Sequence, residues 1–475
     1  MALLALIALT ALMIWLAVLI RFRPALNVNW ILFAAGLTLV AAVVFGREFY
    51  ALDLGPVPIT IDRALLAIIF SLAIYQHWSA GRWQARWDTM DLAVLIWFAC
   101  LAANTFLTDW RFHDNLPLSR LLFLNFLPLV MYLVVKHAPG PREQNLRPVA
   151  WLMLGLSLYL SVTAIAEWRG WHSLVFPKHI MDPAVDEFLG RGRGPLQNPV
   201  INGMLMVVCG AASLVLFRPF SRKSMALIAM AAVPIGFGVY VTLTRSVWLA
   251  AAASFIVVAW AYSPWRLRVA GLCLLLAIGP VGWMVSKEVM SRFKRDEHVT
   301  VEEMEQSAAL RPMFAYVAWK MFQERPLTGF GFGQYQKHKT PFHYDDRFER
   351  PLQPALAYFQ HNVFLAYLVD LGLMGLVALL AMLAVMAGSS WQLWRRGSVA
   401  ERNWGLVGWI VLINYTVNGM FHDTSIIPQA NMVLLFVAGI VGRLAQASAI
   451  SATPVNAVGP LSIANPSTPH LSQIR

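Results

Sequence analysis

Apolar runs of roughly 16 to 25 residues recur along nearly the whole chain, each long enough to cross a hydrocarbon core about 30 Å thick as a helix. Inside such a layer every backbone N–H and C=O must find an internal partner, and a helix achieves this within one segment. The sequence therefore predicts an all-α fold, a polytopic membrane helical bundle of about 12–13 transmembrane helices with one large periplasmic loop. Expected spans centre near residues 11, 37, 70, 99, 127, 157, 209, 233, 255, 277, 376, 412 and 436. Charged residues make up only 13% of the chain, about half of the roughly 25% usual for soluble domains. The first run, Ala2 to Ile20, lacks a basic leader and a small-residue cleavage site, so it reads as a retained helix rather than a removed signal.

Orientation follows from where the cations fall. One set of alternate loops holds Arg21 and Arg23, Arg82 and Arg86, Lys136, Arg142 and Arg147, Arg218, Arg222 and Lys223, Arg266 and Arg268, Arg395, Arg396 and Arg402, and Arg443. Short basic loops stay in the cytoplasm. The opposite, longer loops, 166–199 and 286–355, then face the outside. The formal charge of +12 is spent largely on these turns. With no aromatic-interleaved basic domain to receive it, no nucleic acid is expected as a partner; the lipid bilayer is. Cys100, Cys209 and Cys273 lie singly in apolar runs and form neither a disulfide framework nor a metal site.

Three regions follow: N-terminal transmembrane helices over 1–150, a catalytic transmembrane region over 151–445 that contains the loop 286–355, and a disordered cytoplasmic tail over 446–475, rich in Ser, Pro, Ala and Asn. Within the large loop, Thr300-Val301-Glu302-Glu303 has the pattern of a capping box. Leu310, Met313, Phe314, Val317, Ala318, Met321 and Phe322 keep helical spacing. A pair of amphipathic helices is expected, with Pro312 in the first turn of the second. Its apolar face suits either the membrane surface or the bundle.

Chemistry-bearing residues gather at the mouths of these runs, and by counting crossings they open on one side. Arg245 stands between two apolar runs with almost no loop, where a charge costs a few kcal/mol on insertion scales. It snorkels to lipid phosphates or clamps a substrate phosphate, a task the planar guanidinium suits. Gly190-Arg191-Gly192-Arg193-Gly194 places two arginines on a bendable strip, and Asn198-Pro199 turns the chain into the next helix. His361, followed by Asn362 and an apolar helix, has the proton affinity of a general base near neutral pH. His338, His343 and His422 compete for that role, and their spacing excludes a compact zinc site. Gly329, Gly331 and Gly333 alternate in a segment that lacks the Lys-Ser/Thr of a P-loop. They point instead to a tight re-entry of the loop toward the bundle.

Taken in order, these residues resemble the O-antigen ligase family, bacterial membrane proteins that include related polysaccharide polymerases and some protein O-oligosaccharyltransferases. Four pieces carry the resemblance: Arg193-Gly194-Pro195-Leu196-Gln197-Asn198-Pro199, Thr244-Arg245-Ser246-Val247-Trp248-Leu249-Ala250, Arg311 with Trp319 and Arg325-Pro326-Leu327-Thr328-Gly329-Phe330-Gly331, and His361-Asn362 with Asp370-Leu371-Gly372-Leu373-Met374-Gly375. Val200 replaces a usual Asn, for which Asn202 is a stand-in; Thr244 replaces Ser and Asp370 replaces Glu. The resemblance implies a metal-independent, inverting glycosyltransferase without a cofactor. It passes a glycan from an undecaprenyl-diphosphate donor to an acceptor hydroxyl on a glycan or lipid at the periplasmic face. Carried over by position, Arg193 and Arg245 hold the diphosphate, Arg191 is a second candidate for the first arginine, Arg311 supports them, and His361 activates the acceptor, with Asn362 and Asn198 in support. Rival readings are a flippase or transporter for a lipid-linked glycan, a protein O-oligosaccharyltransferase, and an assembly subunit without catalysis.

Overall fold

The computed structural model describes residues 29–46, 49–53, 58–79, 86–138, 146–182, 185, 188–218, 222–269, 301–348 and 351–452. In chain order its helices are α1 (Trp30–Val44), α2 (Ile61–Ser79), α3 (Thr89–Leu107), α4 (Phe112–Arg120), α5 (Leu127–Lys136), α6 (Arg147–Trp168), α7 (Pro199–Leu216), α8 (Arg222–Val241), α9 (Arg245–Tyr262), α10 (Val301–Glu324), α11 (Val363–Arg396), α12 (Val399–Gly419) and α13 (Pro428–Ala452). A two-stranded antiparallel hairpin, Ala51–Asp53 against Pro58–Thr60, precedes α2. Every expected centre from 37 to 255 and from 376 to 436 falls inside a helix. Those at 11 and 277, together with Cys273, Thr300 and the tail beyond 452, lie outside the described residues. Among the described residues, 7 helical stretches are long and apolar enough to cross a membrane. The protein is an all-α polytopic membrane protein.

Burial is greatest in α13, which packs on α5, and in α7, which is enclosed by α6, α9 and α12. Small residues let these backbones approach: a Cβ on Gly203 would meet Val247 at 2.5 Å, and one on Gly439 would meet Val135 at 2.9 Å. Close small-residue contacts of this kind hold helices together where lipid removes the hydrophobic drive between them. At the end of the bundle that carries the basic loops, buried Lys136 is clamped by Asp88 at 2.6 Å and Asp91 at 3.4 Å. His137 and Tyr132 complete the bonding of Asp91. Helix α13 runs on to Ala452, into the stretch assigned to the disordered tail. Ser448 donates to Glu401 at 2.7 Å and Gln446 to the carbonyl of Arg86 at 2.7 Å, so this turn has partners that composition alone does not reveal.

Two features of the large loop position the opposite end. The first corrects the expected helix pair: α10 is one helix, with Pro312 inside it. Interior proline costs about 3 kcal/mol, but Met313, Phe314, Val317, Ala318 and Met321 are all buried, and each large apolar side chain returns roughly 1.5–3 kcal/mol. Their cover is the loop's own Phe330, Tyr335, Leu352 and Ala355 with Val369 of α11. The second is a break in α11 at Gly372 (φ 66°, ψ −161°). Residues 326–333 re-enter there and take up the freed backbone groups. Leu373 N–H donates to Pro326 O at 2.8 Å, while Phe330 and Gly331 N–H donate to Val369 O and Asp370 O, each at 2.9 Å. The Asp370 carboxylate accepts from Gly333 N–H at 2.9 Å, and Asn104 of α3 bonds both Thr328 O and Phe332 N–H.

The two backbones touch because glycines face each other. A Cβ on Gly329 (φ 65°) would lie 2.5 Å from the Asp370 backbone, and one on Gly372 would lie 2.4 Å from Leu327. Gly329→Ala therefore combines a left-handed residue with a backbone clash. It is expected to destabilise the folded protein by about 2–4 kcal/mol, seen as a lower midpoint of thermal unfolding in detergent. Gly388→Ala, where a Cβ inside helix α11 meets nothing within 4 Å, is expected to leave that midpoint unchanged or slightly raised.

Candidate active site

Four of the sequence-predicted segments meet at one end of the bundle. Three of them lead into helix starts. Asn198 caps α7, accepting from Val200 N–H at 2.9 Å and Ile201 N–H at 3.4 Å, with Pro199 in the first turn. Asn362 caps α11 in the same way, accepting at 2.9 and 3.1 Å, and its amide also donates to Met420 O at 3.0 Å. Helix α9 begins differently. The turn from α8 is closed by Leu243 in a left-handed conformation (φ 49°), and the Thr244 hydroxyl bonds back to Thr242 O at 2.9 Å. No side chain caps α9, and the hydroxyl of Ser246 is buried without a hydrogen-bond partner. An uncapped helix start with a spare donor is an anion-attracting end.

Arg245 opens α9 and is exposed. Arg191 is brought toward it by the strip that follows: Gly192 N–H donates to Val241 O at 2.8 Å, and Gly192 O accepts from Asn202 at 2.9 Å. A Cβ on Gly192 would lie 2.7 Å from Ala164, so glycine is required for this seat. Asn202, the stand-in for the absent second Asn, thus holds the strip. Arg191 is half-buried with its guanidinium 5.6 Å from the Phe188 ring.

Arg193 points elsewhere. It is fully buried, its Nε donating to Glu167 at 2.8 Å and its terminal nitrogens to Val185 O and Ile180 O, each at 2.7 Å. Glu167 also accepts from Gly194 N–H at 2.9 Å. All these bonds tie the strip to the end of α6 and to the loop 169–198. Arg193 is thereby engaged by the protein's own groups, and the expected diphosphate role does not match that arrangement. Glu167 carries little local signal in the sequence, only a lone carboxylate closing an apolar run.

On the facing side, Arg311 of α10 donates to Phe421 O at 3.3 Å and lies 5.2 Å from the Phe421 ring. Burial and the nearby charge of Arg245 lower its proton affinity. His361 is left-handed (φ 48°), its ring 5.4 Å from Phe314 and 6.1 Å from Tyr358. The buried ammonium of Lys339 fixes the approach to it by donating to Tyr358 O at 3.1 Å and to Leu356 O. Burial and, after it, the Arg311 charge hold His361 below the usual imidazole value. His422 is pushed down to about 3 by burial, then by Arg311, His361 and Arg191. Five basic side chains from five stretches of sequence therefore share one electrostatic neighbourhood, in which Arg311, His361 and His422 each feel a basic neighbour. Among the described residues the rings of His361 and His422 and the guanidinium of Arg245 form no hydrogen bond with the protein.

Of the competing histidines, His343 is buried with Nδ1 on Lys339 O at 2.9 Å, and His338 packs on Phe330. Both belong to the loop's interior. No group of three or more His, Cys, Asp or Glu suited to a metal occurs among the described residues. Among the described residues, a separate cleft of about 260 Å³, lined by Gly46, Pro195, Ile201, Ile426, Pro428 and neighbours, carries no charged side chain.

Residues 229–380 match the family model described as O-antigen ligase. That stretch is similar to the O-antigen ligase family. The matched stretch contains Arg245, Arg311, the re-entrant glycines, His361 and the broken helix, whereas Arg191 and His422 flank it. No curated protein matches the chain. Together with the membrane helices, this match supports a membrane polysaccharide function of the ligase or polymerase type.

Proposed function

We propose that the protein is a glycosyltransferase that takes a glycan from a polyprenyl-diphosphate donor, of the undecaprenyl type, and joins it to a hydroxyl of a glycan or lipid acceptor at the periplasmic face. The observation that carries this reading is the gathering of Arg191, Arg245, Arg311, His361 and His422 around the uncapped start of α9. Guanidinium groups drawn together beside two imidazoles and an uncapped helix start suit an anion of more than one charge.

In this reading the diphosphate lies across Arg245, the α9 start and Arg311, with Arg191 in the place that spacing gave to Arg193. His361 accepts the proton of the acceptor hydroxyl. The hydroxyl oxygen forms a new bond to the anomeric carbon from the side opposite the diphosphate. The old bond from anomeric carbon to oxygen breaks, its electron pair stays on the diphosphate, and the configuration inverts. Fixed guanidinium groups stabilise the charge that develops there. The loop built on α10 shields the donor from water, which competes with the acceptor.

The test is direct. Purified protein is incubated with undecaprenyl-diphosphate glycan and candidate acceptors, and the products are read by mass spectrometry. Transfer that persists in EDTA is expected, since arginine supplies the cationic site. Absence of any glycosylated product, or transfer that depends on added Mg²⁺ or Mn²⁺, counts against the reading.

A further inference from the structure

We propose that His422 is a substrate-binding residue, a fourth ligand for the donor diphosphate beside Arg191, Arg245 and Arg311. The inference rests on the diphosphate reading above and assigns a role to a residue outside the stretch matched by the family model.

The first support is the construction of its turn. Phe421-His422-Asp423 links α12 to the short helical turn Thr424–Ile426 before α13. Two residues of the site clasp it from outside: Asn362 holds Met420 O at 3.0 Å and Arg311 holds Phe421 O at 3.3 Å. Asp423 turns its carboxylate away, accepting from Ser425 N–H at 3.1 Å and from the Ser425 hydroxyl at 2.5 Å. The backbone N–H of His422 is spent on Asn418 O at 2.9 Å and its carbonyl on Thr424 N–H at 3.0 Å. Only the ring is left uncommitted, and it faces Arg311 of α10, His361 before α11 and Arg191 before α7.

Chemistry decides what such a ring can do. Burial and the guanidinium groups of Arg311 and Arg191 make a further cation there unfavourable, so before the donor binds the ring is a neutral imidazole, with one N–H to donate and one nitrogen able to accept a proton. A diphosphate placed among the arginines reverses the local field. The same imidazole then gains a proton from solvent and becomes a charged donor to a phosphate oxygen. Donor binding is thereby linked to proton uptake at His422, while His361 serves the acceptor. His422 thus affects donor affinity, and His361 affects the rate of the chemical step.

The experiment uses the full-length protein in detergent with geranylgeranyl diphosphate as the probe. Its affinity is measured by calorimetry between pH 5.5 and 8 in buffers of different ionisation enthalpy. Wild-type protein is expected to bind with proton uptake in excess of that seen for His422→Gln, and more tightly as pH falls. His422→Gln, with His422→Asn as a second variant, is expected to weaken binding by about tenfold or more at pH 6, and to flatten the pH dependence. In transfer assays the same variants raise KM for the donor more than they lower kcat. His172→Gln, on an exposed turn, is the control and leaves both affinity and uptake unchanged. Wild-type affinity retained in both His422 variants, or an undiminished excess uptake, overturns the proposal. A wild-type protein that binds no probe at all overturns the diphosphate reading along with it.

Discussion

Replacing His361 with alanine is expected to lower the rate of glycan transfer by about 10² to 10⁴, the usual contribution of a positioned general base, while the protein inserts and elutes from a sizing column as before. The ring makes no hydrogen bond with the protein among the described residues, so its removal breaks no bonded network. Alanine also carries a Cβ and meets the same left-handed backbone at φ 48°, so the substitution relieves no backbone strain. The pH profile gives an independent check. A base works in its neutral form, which prevails above its pKa. Burial and Arg311 shift that pKa downward from 6.5, so the acidic limb of kcat/KM is expected below pH 6.5, with a level rate through neutrality. Among the described residues, the charged or titratable groups at the ring are Arg311, His422 and Tyr358. Arg311→Gln removes one positive neighbour and is expected to move the limb upward, toward 6.5. Full activity in His361→Ala, or a limb that moves down in Arg311→Gln, would assign the proton transfer to another group.

Which parts of this arrangement sequence could disclose depended on the range of the interactions. Span positions are written locally in apolar run length, and the structure keeps them from 37 to 255 and from 376 to 436. Arg245 and His361 were visible because a polar residue at the start of an apolar helix has no local explanation. Arg191 and Arg193 could not be separated, since they differ by two positions on one glycine-rich strip. Their roles are divided by Glu167, which closes the preceding helix and captures Arg193. His422 had even less local signal: its neighbours come from α10 and from the segments before α7 and α11, none adjacent in sequence. The break in α11 was hidden for a related reason. Its apolar pattern continues through Gly372, and the partners of the interrupted backbone, Pro326, Leu327, Phe330 and Gly331, come from the returning loop about forty residues earlier. Helix α10 shows the opposite error, a proline read as a boundary where tertiary burial carries the helix through.

The two arginines expected to act alike should fail in different ways. Arg245→Ala removes an exposed guanidinium with no protein hydrogen bond among the described residues, so folding and membrane insertion are expected to be unaffected. Transfer is expected to fall by about 10² to 10³ in kcat, the usual loss of one preorganised donor to developing charge. Arg245→Lys keeps the charge but not the planar fork, and should recover only part of that loss. Arg193→Ala instead strands Glu167, buried at the end of α6, and frees two carbonyls that have no water to turn to. Breaking one side of a buried ion pair costs about 3–5 kcal/mol, so this variant should show a lowered unfolding midpoint and poor recovery from the membrane. Adding Glu167→Gln to Arg193→Ala removes the stranded charge, and some of the lost stability should return even though the guanidinium does not. A diphosphate ligand at position 193 makes the contrary forecast: Arg193→Ala would fold as well as wild type, bind the donor weakly, and gain nothing from Glu167→Gln. The unfolding midpoints of the single and double variants, set beside their transfer rates, separate the arginine that supports the site from the arginine that works in it.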